Sequence, residues 1–255
     1  MSASLLDHPI ISRRYFFPRA DRFASPLLVE VDGAVLACAF HRVAPNAPTV
    51  IHFHGNGEVV SDWLEGFAPW LGALGWNVLL AEYRGYGMST GAPELRRMLD
   101  DVEPIARAAG VAPNRLVFFG RSVGSLFAVQ GVARFPEAAG LIIESGIADP
   151  LERLLLRVAP EELGATPEAF AAAVRECLDP RARLSGYRGP ALILHTRHDG
   201  LVDVSHAEAL ASSVGGAVTL RIFEDGDHNS IFAANQVEYQ DAVSEFLRRA
   251  AAPRV

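Results

Sequence analysis

Short apolar, β-branched runs alternate along this chain with longer stretches in which apolar residues recur every three or four positions. The runs at 27–31, 34–41, 49–54, 77–81, 115–119, 140–144, 191–195 and 218–223 predict strands. The stretches at 61–74, 93–109, 123–135, 204–214 and 230–251 predict helices. Asp32-Gly33 between the first two runs is a favoured hairpin pair, so those strands are expected to be antiparallel. From Thr49 onward strand and helix alternate, which predicts a parallel sheet covered by helices on both faces. The expected fold class is therefore α/β, with a mostly parallel eight-stranded sheet. One stretch breaks the alternation. Over 148–187, Leu151, Leu154, Leu155 and Val158 fall at helical spacing, Pro160 interrupts, and a second pattern runs over 167–178. An insertion of this kind beside a cleft reads as a small helical cap, the alternative being helices that merely pad the sheet. The expected organisation is an N-terminal extension over 1–25, one core domain made of 26–147 and 188–251, and a cap insertion over 148–187.

Composition narrows the class. The 255 residues are 50% apolar and 21% charged, which is enough for a large core and too ordered a mixture for a disordered chain. The formal charge of −7 argues against nucleic acid or an anionic membrane as the main partner, because both select a basic field. No apolar run approaches the roughly 18 residues of a membrane span, and Asp7, His8 and Pro9 interrupt the N-terminal apolar pairs, so no signal-peptide core is read there. These features favour a cytoplasmic protein without a transmembrane segment, and they leave homo-oligomerisation open. The two cysteines, Cys38 and Cys177, lack any metal-type spacing; Cys38 sits in a strand-like run and reads as a buried thiol, with a disulfide left open.

The strongest chemical signal is Gly120-Arg121-Ser122-Val123-Gly124, placed between an apolar strand and an apolar helix. In that setting the pattern GxSxG makes a turn so sharp that the serine side chain stands clear of the backbone, above the edge of the sheet. A serine hydroxyl is a poor nucleophile at neutral pH and needs a base. His228, in Gly226-Asp227-His228-Asn229 just past the last strand, is the candidate base. Asp199, in the loop after the preceding strand, is the candidate acid that orients it; Asp203, Asp225, Asp227 and Glu144 are its rivals. An oxyanion hole requires two convergent amides, and those of Val123 and Asn56 are the candidates, Asn56 lying in His52-Phe53-His54-Gly55-Asn56-Gly57. His54 is expected to tie that loop down. A metal site built from His52 and His54 is the rival reading, but Gly55-Asn56-Gly57 replaces the further ligands that zinc would need, so no metal and no cofactor are expected.

Five segments together, HFHGNG (52–57), EYRGYGMSTG (82–91), GRSVGS (120–125), HTRHDGLVD (195–203) and GDHN (226–229), resemble the α/β-hydrolase superfamily. Within it the chain looks like the serine hydrolases of the serine-aminopeptidase type, the BEM46-like proteins and the related protein depalmitoylases. That resemblance implies an α/β-hydrolase fold and cofactor-free esterase or thioesterase chemistry, with nucleophile, acid and base at Ser122, Asp199 and His228. The expected function is cleavage of a carboxylester or thioester in a small-molecule or acylated substrate through an acyl-enzyme. A peptidase of the same fold is one alternative, with Glu152, Glu161, Glu162 or Glu168 holding an ammonium group; a non-catalytic binding module is another. The leucine-rich cap suggests an apolar acyl group, with Trp63, Leu151, Leu154, Leu155 and Phe170 lining its pocket.

Overall fold

The computed structural model describes residues 4–252, so residues 1–3 of the expected extension lie outside the described residues. The strands are β1 (Leu27–Val31), β2 (Ala34–His41), β3 (Thr49–Phe53), β4 (Asn77–Ala81), β5 (Leu116–Arg121), β6 (Gly140–Glu144), β7 (Ala191–Thr196) and β8 (Val218–Phe223). The helices are α1 (Pro9–Tyr15), α2 (Phe67–Ala73), α3 (Leu95–Ala108), α4 (Gly124–Arg134), α5 (Pro150–Leu155), α6 (Pro167–Leu178), α7 (Pro180–Gly186), α8 (Ser205–Ser213), α9 (Ile231–Ala234) and α10 (Gln236–Ala250). The strands form one sheet in the order β1-β2-β4-β3-β5-β6-β7-β8, antiparallel at its β1–β2–β4 end and parallel from β4 to β8. The chain thus has the α/β-hydrolase fold.

The inner strands are apolar on both faces, as a covered parallel sheet requires. Successive residues split between two cores with the period of a strand. Ile51, Leu79, Phe118, Leu141 and Ile193 pack beneath α3, α4, α7 and α8. Val50, Val78, Phe119, Ile142 and Leu192 pack beneath α2 and α10. Cys38 is buried in the first core and Cys177 is partly exposed, and both are free thiols. Burial pushes the Cys38 thiol up to about 12.

Three differences from the sequence pattern go beyond a residue or two at an element's end or bear on the site. The helix expected over 61–74 is a 3-10 turn (Val60–Trp63) followed by α2, because Gly66 takes φ +82° between them. The helix expected over 230–251 breaks at Asn235, whose side chain donates back to the Asp225 and Ile231 carbonyls. β5 runs on to Arg121, so the strand reaches the residue before Ser122.

The 148–187 stretch contains α5, a 3-10 turn (Pro160–Leu163), α6 and α7. Within it α5 and α6 pack on each other and α6 on that 3-10 turn. α7 packs on α4 and α8 as part of the core, α6 packs against the 3-10 turn Leu5–Asp7, and α5 with the turn after it lies over the carboxyl edge of the sheet. That edge is where the site forms. β4 lies on one side of β3 and β5 on the other, so the loops after β3 and β5 diverge to opposite faces and leave a crevice between them.

Candidate active site

β5 ends in Gly120-Arg121, and the chain then turns through Ser122 at φ +53°, a left-handed conformation that a serine adopts only under constraint. The constraint is packing. A Cβ at Gly120 would overlap the carbonyl of Gly124, and one at Gly124 would overlap the carbonyl of Phe53 on the neighbouring strand. The Ser122 amide donates to the Glu144 carbonyl (2.8 Å), and Ser125 Oγ donates to the Ser122 carbonyl (2.6 Å), so the turn is held from both sides.

The structure brings Ser122, His228 and Asp199 together from three loops. Ser122 Oγ lies 2.9 Å from His228 Nε2, and His228 Nδ1 lies 2.7 Å from Asp199 Oδ2. An ionised carboxylate can only accept, so the ring proton sits on Nδ1 and the Nε2 lone pair faces the hydroxyl. Asp199 Oδ1 accepts the amides of Leu201 (2.9 Å) and Val202 (2.8 Å). Burial pushes the Asp199 carboxyl up, but the hydrogen bonds from His228, Val202 and Leu201 outweigh it and hold the group below the usual aspartate value. Three of the four rival carboxylates are engaged elsewhere. Asp203 accepts the Ser205 amide, Asp227 accepts the amides of Asn229 and Ser230, and Glu144 faces Arg121 and Tyr239.

Asn56 and Val123 both line the cavity over Ser122, and neither backbone amide donates a hydrogen bond among the described residues. The Asn56 side chain fixes its loop: Oδ1 accepts from the Phe17 amide (3.0 Å) and the Tyr86 hydroxyl (2.9 Å), and Nδ2 donates to the Tyr15 carbonyl. His54 adds a second anchor, with Nδ1 against the Gly55 carbonyl (2.8 Å) and Nε2 against Glu82 Oε1 (2.8 Å). Burial alone would push the His54 pKa down. The hydrogen bond and charge of Glu82, with the Gly55 carbonyl and Glu58, reverse this and raise it, so the ring is held as a buried ion pair. His52 points away into Trp63, Phe67 and Phe119, and burial pushes its pKa well down. The HxH pair therefore does not converge on one point.

Arg121, the variable residue of the GxSxG turn, is the organiser that sequence reasoning passed over. It is only 6% exposed. Its guanidinium donates to Glu144 (2.9 Å), to Glu58, to the His228 carbonyl (2.8 Å) and to Asn229 (3.3 Å), which ties together the loops after β3 and β8 and the end of β6. Tyr239 from α10 donates to the other Glu144 oxygen. The available signal was a lone charged residue inside an apolar strand run, which must find partners when buried.

The cavity over Ser122 has a volume of about 230 Å³. None of Trp63, Leu151, Leu154, Leu155 and Phe170 lines it, which corrects the pocket expected from the sequence. Leu154 and Phe170 face the core, Leu151 packs against that core, Leu155 is exposed, and Trp63 lines a separate cavity beside Phe67 and Trp70. The reason is helical phase: Leu151, Leu154 and Val158 are on the side that docks the segment, so a neighbouring side meets the cavity. There the lining includes Arg153 and Arg157, with Tyr15 at the end of α1 and Phe17 just beyond it.

Known proteins resemble this chain at two levels. Residues 44–168 match the family model described as "Serine aminopeptidase, S33". Alpha/beta hydrolase domain-containing protein 17B of Homo sapiens is 28% identical over 221 residues, covering 84% of this chain and 72% of that protein. Protein 17C of Xenopus tropicalis is 27% identical over 220 residues, covering 84% of this chain and 66% of that protein, so the match spans about two thirds of these relatives. Among solved structures, Est1E from Butyrivibrio proteoclasticus, with ferulic acid bound, superposes with a TM-score of 0.74 at 19% identity, covering 89% of this chain and all 100% of the other. The Pyrococcus furiosus esterase Pf2001 superposes with a TM-score of 0.71 at 19% identity, covering 92% and 98%. At such identities the structural likeness speaks for the fold, and the sequence matches support membership of the α/β-hydrolase superfamily.

Proposed function

We propose that this protein is a serine hydrolase that cleaves a carboxylester or thioester through an acyl-enzyme on Ser122. The observation that carries the reading is the unbroken hydrogen-bonded line from Ser122 Oγ through His228 to Asp199, opening onto a cavity that Asn56 and Val123 also line. His228 Nε2 takes the Ser122 proton as Oγ attacks the substrate carbonyl, and Asp199 stabilises the imidazolium that forms. The Val123 and Asn56 amides receive the negative charge on the carbonyl oxygen; one such donor contributes about 10²–10³ in kcat in other serine hydrolases. The imidazolium protonates the leaving alcohol or thiol. Water, deprotonated by His228, then releases the acid and restores Ser122.

An aminopeptidase of this fold would need a carboxylate in the cavity to hold the substrate ammonium. Of the acidic residues considered for that role, Glu152 faces His206 and Glu162 pairs with Arg14, and none of the four borders the cavity. The apolar acyl group expected from the sequence loses its support with the five residues that were to contact it.

The test is labelling with a fluorophosphonate probe, read by peptide mass spectrometry, together with turnover of p-nitrophenyl esters by wild type and Ser122→Ala. Labelling at Ser122 and loss of turnover by several orders of magnitude in the variant are expected. Folded protein that neither labels nor hydrolyses any ester would favour a binding module on the same fold.

A further inference from the structure

The residues lining the cavity over Ser122 include three arginines, Arg121, Arg153 and Arg157, and no aspartate or glutamate. This stands out in a chain with 30 acidic and 23 basic residues and a formal charge of −7. Arg121 is already neutralised, since its guanidinium is spent on Glu58 and Glu144 behind the turn. Arg153 and Arg157 are not. Among the described residues neither guanidinium has a carboxylate within ion-pair distance, and unlike the other unpaired arginines these two line the cavity over Ser122.

The two charges also stand one helical turn apart, on α5 and the turn that continues it, where like charges repel. They are held there nonetheless. Arg14 grips Glu162 with both of its terminal nitrogens (2.6 and 2.8 Å) and donates to the Arg157 carbonyl (3.4 Å), which fastens this segment to α1. The Arg157 guanidinium lies 5.0 Å from the centre of the Phe17 ring, and Phe17 itself lines the cavity. Tyr15 supplies no compensating negative charge. Burial pushes its phenol up to about 12, against the pull of Arg153 and Arg157, so it remains a neutral donor beside them.

Resting on the serine-hydrolase reading above, we infer that the substrate carries an anionic group, a carboxylate or a phosphate, on the part that enters this cavity, and that Arg153 and Arg157 bind it. A guanidinium presents paired donors that match the oxygens of either anion. The pair sits beside the nucleophile, so it selects the ester by charge while Ser122 performs the chemistry. The same field disfavours cationic substrates.

The experiment compares kcat/KM for four p-nitrophenyl esters of equal acyl length: the monoester of adipate, its neutral methyl diester, an ω-phosphorylated hexanoate, and an ω-trimethylammonio hexanoate. Wild type should prefer at least one anionic ester over the neutral one by about tenfold or more, the size of a hydrogen bond to a charged group. The ranking of adipate and phosphate esters tells the two anions apart. The preference should shrink as sodium chloride is raised. The double variant Arg153→Glu/Arg157→Glu should lose the anionic preference and hydrolyse the trimethylammonio ester faster than wild type, a gain that misfolding cannot produce. Turnover of the neutral ester with no anionic preference in wild type, or an ester ranking that the double variant leaves unchanged, overturns this inference and leaves the hydrolase standing. Failure of wild type on all four esters, with no probe labelling at Ser122, overturns the hydrolase itself.

Discussion

Replacing Arg121 with methionine, which keeps much of the volume and removes the charge, tests whether the site is built on a buried ion network. In the wild type the guanidinium is 6% exposed and Glu144 is 3% exposed. Without the cation, Glu144 keeps only the Tyr239 hydroxyl, Glu58 keeps the Gly55 amide (2.6 Å), and the His228 carbonyl loses its donor. Removing one member of a buried pair typically costs about 3–5 kcal/mol, because a charge is left in a medium that solvates it poorly. Tyr239 offsets part of this, so about 3 kcal/mol at pH 7.5 is expected, a large share of the roughly 5–15 kcal/mol of a whole domain. The pH dependence follows from Glu144. Burial raises its pKa above the ordinary 4.5 even in the wild type, with Arg121 pulling the other way. In the variant that opposition is gone and the value rises further. A carboxyl raised in the folded state contributes stability below its unfolded pKa and loses it as pH climbs through the folded one. The gap between wild type and variant should therefore be smallest near pH 5 and widen toward pH 8. Urea titrations at both ends, followed by tryptophan fluorescence, measure it. A gap below about 1 kcal/mol at pH 7.5, or one that stays constant with pH, would refute the argument that Arg121 is held there to neutralise Glu144.

Glu82→Gln carries the opposite sign. His54, raised above its ordinary 6.5 by Glu82, contributes stability that is present below that value and lost as pH rises through the raised one. The variant should lose about 2–4 kcal/mol near pH 6 and less near pH 9; thermal melts across that range decide it, and a gap that widened with pH would count against the charged pair. Gly124→Ala puts a methyl against the Phe53 and His54 carbonyls, backbone atoms that cannot turn aside, so soluble yield and melting temperature should both collapse; an unchanged melt would mean the turn packs differently. Asp199→Asn preserves the shape of the site but offers His228 Nδ1 a group that can donate, which favours the wrong ring tautomer. Its kcat on p-nitrophenyl esters should fall about 10³–10⁴-fold with little change in melting temperature, and near-normal turnover would remove Asp199 from the mechanism.

What the sequence made legible was whatever a local pattern decides. The alternation of strand with helix predicted a sheet covered on both faces, and in it Ile51, Phe118 and Ile193 go to one core while Val50, Phe119 and Leu192 go to the other. The GxSxG turn was readable because its glycines answer to steric contacts within a few residues and one neighbouring strand. Arg121 was in plain view, yet its role depends on Glu58, Glu144, His228 and Tyr239, which lie far apart in the chain and meet only through the sheet order. The N-terminal segment was set aside as an extension, although the Tyr15 carbonyl and the Phe17 amide hold the Asn56 side chain in place.

The misassigned pocket has a more general physical cause. On α5 and the turn that follows it, Leu154 and Val158 form the buried stripe, and a helix that spends its apolar face on docking can offer a cavity only its polar one. The leucine-rich stretch suggested an apolar acyl group, but Leu154 was already needed to seat the helix. The informative positions were Arg153 and Arg157, four apart, which form no ion pair among the described residues although Asp149 and Glu161 stand four positions from them in the chain. A charged residue that the fold leaves unpaired on a segment beside a nucleophile is a better guide to the substrate than the leucines that fasten the segment down.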